Sequence, residues 1–187
     1  SLMFRFQSAV ELTGPNNSTA WYFALHEFGL LVRTDDTGAL RFPTLADFEQ
    51  LQLGIESPLF VGWLEETQCF GVHIPDARDL PQGYEFTSLR RLWGMVPEDL
   101  FWAAGRALHL IDWDRTHRFC GRCGAQTERL ASERARRCPN CGQTHYPRIA
   151  PAVIVLIQRD DKILLARSSN FPDAFYSVLA GFVEPGE

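Results

Sequence analysis

Residues 119–146 read FCGRCGAQTERLASERARRCPNCGQTHY, and this stretch decides how the rest of the chain is organised. It holds two Cys-x-x-Cys pairs, Cys120/Cys123 and Cys138/Cys141, fourteen residues apart, and each pair is followed at once by a glycine, Gly124 and Gly142. Two intervening residues let a tight turn aim both sulfurs at one point, and glycine supplies the positive φ such a turn needs. Four thiolates at about 2.3 Å in a tetrahedron are what a structural zinc ion takes. Two disulfides, or a redox-active Cys-x-x-Cys, are the competing readings; two pairs with matching knuckles favour the metal. The stretch therefore reads as a zinc ribbon with every coordination position filled by protein. Its role is architectural, joining the N-terminal part of the chain to the C-terminal part.

The surrounding chain has 187 residues, enough for one large or two small domains with a core of their own. A net charge of −5 argues against a dedicated DNA-binding protein. No apolar run approaches the roughly 20 residues of a membrane-spanning helix, so no membrane partner is expected. Thiols kept as metal ligands fit a reducing compartment, and the expected location is the cytoplasm. Cys69 is left over, in an apolar context. Lys162 is the only lysine, and Arg115, Arg118, Arg122, Arg129, Arg134, Arg136, Arg137 and Arg148 cluster in or beside the ribbon. This cluster is either a solvated face or an attraction for a polyanion such as a dinucleotide or RNA.

Ahead of the ribbon, residues 3–114 read as a β-rich domain ending in a long helix. Trp21–Leu25 and Leu30–Val32 are strand-like runs, and Leu59–Leu64 with Cys69–Ile74 reads as a hairpin around Glu65–Gln68. Gly14–Asn17 and Asp35–Gly38 are turn signals. A short helix follows Pro43-Thr44. Pro97–His117 carries the clearest helical pattern, with Pro97, Glu98 and Asp99 suited to a first turn. Leu100, Ala104, Ala107, Leu108 and Ile111 fall on one face of it. His26, His73, His109 and His117 read as filler rather than ligands. Ser88-Leu89-Arg90-Arg91 reads as a loop, with the two guanidiniums either solvated or clamping a phosphate.

After the ribbon, residues 147–187 change character. PAVIVLIQ (Pro151–Gln158) is a near-continuous apolar run expected to be a strand covered on both faces. KILLAR (Lys162–Arg167) is its expected partner after a turn at Arg159–Asp161, and YSVLAGFV (Tyr176–Val183) is a third strand interrupted by Gly181. The sequence then stops on Glu184-Pro185-Gly186-Glu187, a turn after a buried strand, and reads as cut short.

GFVEPGE (Gly181–Glu187) has the form G-x5-E that opens the Nudix box, whose full pattern continues through R-E-U-x-E-E. The preceding Leu179-Ala180, the two upstream strands, and the ribbon followed by Tyr146-Pro147-Arg148-Ile149-Ala150-Pro151 strengthen that match. In this order the chain resembles the NADH pyrophosphatase, or NAD-capped RNA hydrolase, branch of the Nudix family. The resemblance is specific from about Ala104 onward. It implies an α+β architecture: a β-rich N-terminal domain (3–114), a zinc ribbon (115–146) and the first strands of a Nudix α/β/α domain (147–187).

The same resemblance implies site residues. Cys120, Cys123, Cys138 and Cys141 match the family's zinc ligands. Tyr146 and Glu133 match residues that hold the dinucleotide, and Phe182 matches an aromatic that can stack on a base. Arg91, counted back from Ala104-Gly105-Arg106, matches a substrate arginine. The Ala180 carbonyl matches a ligand of the catalytic divalent metal, and Glu187 is the first glutamate of the box. The reaction implied is cleavage of the NAD(H) diphosphate bridge to nicotinamide mononucleotide and AMP, or removal of NAD caps from RNA, with Mg²⁺ or Mn²⁺. The enzyme implied is a homodimer. Most carboxylates that hold those ions belong to a helix beyond Glu187, so the fragment is expected to be inactive. Two alternatives remain: a non-catalytic Nudix binder, and a nucleic-acid-binding zinc-ribbon protein.

Overall fold

The computed structural model describes residues 5–12, 20–76, 79–169 and 175–186. It divides into two compact units, Ser1–Pro147 and Arg148–Glu187. Gly14–Asn17, read as a turn, lies outside the described residues.

The first unit is organised by one mixed sheet. Its strands are β1 (Phe6–Ser8), β2 (Trp21–His26), β3 (Gly29–Thr34), β4 (Leu40–Arg41), β5 (Leu59–Leu64), β6 (Thr67–His73) and β7 (Tyr84–Thr87). They lie in the order β1-β5-β6-β2-β3-β4, with β7 also paired to β3. Neighbours are antiparallel except at the centre, where β2 runs parallel to β6, Trp21 opposite Cys69 and Leu25 opposite His73. Each hairpin turn holds a glutamate at positive φ, Glu27 between β2 and β3 and Glu65 between β5 and β6, an uncommon conformation for a residue with a Cβ. The second turn is tighter than expected, because Thr67 and Gln68 already belong to β6.

Strand periodicity sorts the apolar residues into two layers. Phe23, Leu25, Leu30, Val32, Val61 and Cys69 share one cluster with Ala103, Ala104, Ala107 and Ile111 of the long helix α2 (Glu98–Thr116). Tyr22, Ala24, Leu31, Phe60, Phe70 and Val72 form the other cluster with Phe48 of α1 (Leu45–Gln50). A sheet buried on both faces explains why these strands read as unbroken apolar runs. At α1 the Thr44 amide and hydroxyl both donate to Asp47 Oδ2 at 2.7 Å. Asp47 also accepts from Tyr84 and Arg33, and these contacts outweigh its burial and keep its carboxyl below the usual range.

The buried face of α2 is rotated from the stripe the sequence pattern suggested. Ala103, Ala104, Ala107, Leu110, Ile111 and Trp113 are buried, while Leu100 and Leu108 are only partly so. The reason is close approach: small alanines let the helix settle onto Gly71 of β6, where a Cβ would lie 2.6 Å from Ile111 Cγ1. Ser88-Leu89-Arg90-Arg91, expected as a loop, instead leads into a 3-10 turn at Leu89–Leu92.

Following α2, the ribbon folds as a three-stranded antiparallel sheet. It comprises β8 (Glu128–Arg129), β9 (Arg136–Arg137) and β10 (Thr144–His145), in the order β10-β9-β8.

The second unit contains β11 (Ala152–Val155), β12 (Gln158–Arg159), β13 (Lys162–Ile163) and β14 (Leu179–Phe182). The expected long strand at Pro151–Gln158 is two short ones with a break at Leu156-Ile157, and only β12 and β13 form the expected hairpin. Gly181 does not interrupt its strand; it sits within β14 opposite Val153 of β11. The expected covering of both faces is absent as well: Ile154 is 71% exposed and Leu156 58%. The described residues of this unit form two separate two-stranded ribbons and no helix, so they provide no layer against which to bury either face.

Candidate functional site

The four cysteines come together at the tip of the ribbon, with their sulfurs all within 4.8 Å of one another. Cys120 and Cys141 sulfurs are 3.6 Å apart, and Cys123 and Cys138 sulfurs 3.5 Å. A tetrahedron with ~2.3 Å metal–sulfur bonds has edges of about 3.8 Å, so these spacings fit one zinc ion. They are far longer than the ~2.05 Å of a disulfide. The two knuckles are built alike. Gly124 N–H donates to the Cys120 carbonyl at 2.8 Å and Gly142 N–H to that of Cys138 at 3.0 Å, with φ of 75° and 74° at the two glycines. Donors also face the sulfurs. The Arg122 amide lies 3.4 Å from Cys120 Sγ, and the Asn140 side-chain amide lies 3.5 Å from Cys123 Sγ. The Asn140 contact leads the causes that bring the Cys123 thiol down to about 6, which favours the thiolate a metal needs.

The arginine cluster turns out to hold the ribbon to the first domain. Arg129 reaches both oxygens of Asp114 near the end of α2, at 2.8 and 2.6 Å, and also the Ser57 carbonyl at 3.1 Å. Arg136, with its side chain only 9% exposed, binds Asp114 at 2.6 Å and donates to the Thr127 hydroxyl and carbonyl, each at 2.8 Å. Burial would raise the Asp114 pKa, but these two guanidiniums outweigh it and hold the carboxyl below its ordinary value. Arg134 reaches the Phe60 carbonyl at 2.6 Å. Arg129 and Arg136, members of a cluster that could have been a polyanion patch, are thus committed to an internal ion pair.

Of the other expected site residues, the structure brings Tyr146 and Glu133 together. Tyr146 is 56% exposed and its hydroxyl donates to Glu133 Oε2 at 3.1 Å, a contact that raises the phenol pKa. Arg91 stands in the 3-10 turn, 3.6 Å from Glu85 and well exposed. Ala180 and Phe182 lie on β14 of the second unit, opposite Ile154 and Ala152, with Phe182 exposed. Glu187 lies outside the described residues.

A cleft of about 660 Å³, unforeseen from the sequence, opens between the sheet, the end of α2 and the ribbon, lined in part by Glu56, His73, Arg115, Arg118 and Glu128. Burial, then Arg115, His26 and Arg118, depress the His73 pKa. The walls of the cleft come from four distant segments, so no local pattern announces it.

The model of the NADH pyrophosphatase-like rudimentary NUDIX domain matches residues 19–113, and that of the NADH pyrophosphatase zinc ribbon domain matches residues 115–146. The chain belongs to the NADH pyrophosphatase family of Nudix proteins. Family membership gives the β-rich first domain an identity that its strands alone did not: it is itself a rudimentary Nudix domain. The chain is 39% identical over all 187 residues to the NAD-capped RNA hydrolase NudC of Stutzerimonas stutzeri, of which it spans 65%. It is 41% identical over 136 residues, 71% of this chain and 48% of the relative, to the protein of the same name from Deinococcus radiodurans. With that of Chromobacterium violaceum it shares 46% over 110 residues, 58% of this chain and 42% of the relative. The chain thus spans less than two thirds of each of these relatives. Among the described residues, no helix is long and apolar enough to cross a membrane.

Proposed function

We propose that this chain is part of a cytoplasmic, homodimeric Nudix hydrolase. It cleaves the diphosphate bond of NAD(H) to nicotinamide mononucleotide and AMP, and removes NAD caps from RNA. The observation that carries the reading is identity along the whole chain to a protein named NAD-capped RNA hydrolase, and the Tyr146–Glu133 contact supports it. In this reading the ribbon is a rigid bracket for Tyr146 and Glu133, which hold the dinucleotide with Arg91. Phe182, on residues 147–187 as the opening of the Nudix domain, stacks on a base.

Divalent Mg²⁺ or Mn²⁺ would neutralise the diphosphate charge and orient the attacking water. The described residues do not fit such an ion. Their only close group of three or more His, Cys, Asp or Glu side chains is the four-cysteine cluster, which is soft where these ions want hard oxygens. The Ala180 carbonyl by itself makes no site. We therefore assign the metal-holding carboxylates to the length of the relatives that this chain does not span, and no hydrolytic activity to residues 1–187 alone.

The test is release of nicotinamide mononucleotide from NADH and from NAD-capped RNA with Mg²⁺ or Mn²⁺ present. The protein from the complete reading frame should turn over both substrates. Tyr146→Phe and Glu133→Gln should raise KM about tenfold, the effect of losing one charge-assisted hydrogen bond. Turnover by the 187-residue chain alone would refute the assignment of the carboxylates. No turnover by the complete protein would instead favour a non-catalytic nucleotide binder.

A further inference from the structure

Among the described residues of the first unit, two half-buried arginines make no ion pair. Arg106, midway along α2, donates Nη2 to the Ser8 hydroxyl, and Arg134, in the ribbon loop, donates to the carbonyls of Ala9 and Phe60. The two guanidiniums therefore rest on consecutive residues, Ser8 and Ala9, where α2, the ribbon loop and the chain after β1 converge. No ion pair among the described residues includes either one. Three candidate acids are engaged elsewhere: Asp99 by Arg5, Asp114 by Arg129 and Arg136, and Glu133 by Tyr146. In both arginines the Nε–H is buried and without an acceptor.

A buried donor left unpaired is costly, and a half-buried cation beside another cation more so. Burial lowers the basicity of both groups, and at Arg134 the charges of Arg106 and Arg129 add to it, bringing its pKa down to about 10. An anion accepting from both guanidiniums would supply the missing counter-charge and acceptors. Guanidinium forks match the oxygens of phosphate, and two of them suit a tetrahedral oxyanion with several acceptor edges.

We propose that Arg106 and Arg134 form a phosphate-binding site on the first unit, separate from the residues assigned to the dinucleotide. Its ligand is a phosphate group, either free or within a nucleic-acid backbone. The site does not depend on the hydrolytic reading, because it needs only the first unit.

The zinc-loaded 187-residue chain is titrated with inorganic phosphate at constant ionic strength, with chloride as the control, following ³¹P line width and melting temperature. Saturable binding is expected, weakened about tenfold or more in Arg106→Met and in Arg134→Met. Arg118→Met, which alters an exposed ribbon arginine, should leave it unchanged. Because Arg134 also fastens the ribbon loop, Arg106→Met is the deciding variant, with zinc content and circular dichroism confirming its fold. Arg106→Lys should recover part of the binding. A short RNA lacking a 5′-phosphate is then added: displacement of phosphate assigns the site to the polynucleotide backbone, and failure to displace assigns it to free phosphate. Absence of saturable binding to the wild-type chain, or the same affinity in Arg106→Met, would overturn the proposal.

Discussion

Replacing Asp114 by alanine tests whether the arginines bolt the ribbon in place. The carboxylate accepts from Arg129 and Arg136 and is itself only 13% exposed. Removing it strands Arg136, whose side chain is 9% exposed. Breaking one partner out of a buried pair costs about 3–5 kcal/mol, because the remaining charge stays buried without compensation. Arg129, about a third exposed, recovers solvent and adds less than about 1 kcal/mol. For a chain of this size each kcal/mol moves the melting temperature by roughly 2–4 °C, so a fall of about 10 °C is expected. Urea melts of Asp114→Ala, Arg136→Met and the double variant complete the cycle. The double variant should be more stable than Asp114→Ala by about 2 kcal/mol, since it no longer buries a lone guanidinium. The pH dependence has a defined sign. A carboxyl whose folded pKa is depressed stabilises the protein above its unfolded pKa of about 3.9. That contribution is lost as pH falls through the lower folded value. The gap between wild type and Asp114→Ala should therefore be widest near neutrality and close in strong acid. A single variant within about 0.5 kcal/mol of wild type, or a double variant no more stable than Asp114→Ala, would show that the bolts are surface ornaments.

Elemental analysis should find one zinc per chain, and Cys138→Ser should abolish it while leaving the sheet's far-ultraviolet signal; retention of zinc would refute the four-sulfur site. Cys69 is fully buried and burial pushes its thiol up to about 12, so thiol reagents applied to the zinc-loaded protein should label it only after denaturation. Gly71→Ala would place a methyl 2.6 Å from Ile111, and overpacking of this kind should cost about 1–3 kcal/mol in chemical melts; an unchanged midpoint would mean that α2 is free to lift.

The parts visible in the sequence were those encoded locally. Cysteine spacing and the following glycines specify the ribbon knuckles, and 3.6-residue periodicity specifies α2 to within a residue at each end. Strands β2, β3, β5 and β6 declare themselves by apolar runs, but their order does not. A parallel β2–β6 contact depends on residues 48 positions apart meeting under a helix encoded later, and no window of sequence carries that information. The arginine cluster was visible as composition only. Its division into ion-paired bolts, the uncompensated Arg134 and exposed members depends on whether Asp114, a backbone carbonyl or solvent faces each fork. Glu133 and Tyr146 stand thirteen positions apart, and the ribbon's antiparallel folding brings them together. The second unit misled for the opposite reason. An apolar run announces a buried strand only when something covers it, and the described residues of that unit supply no covering layer.

The parallel contact between β2 and β6 has a consequence for synthesis. The two antiparallel hairpins can each zip as they leave the ribosome. The seam joining them is held on one side by α2, which emerges more than twenty residues after β6 ends. Arg134 then reaches back to Ala9, a separation of 125 positions. Such long-range closures are slow, and they leave apolar edges open in the interval. The nascent chain should therefore stay dependent on chaperones until the last cysteine is out, and arrest before Cys141 should yield a protease-sensitive intermediate rather than a finished domain.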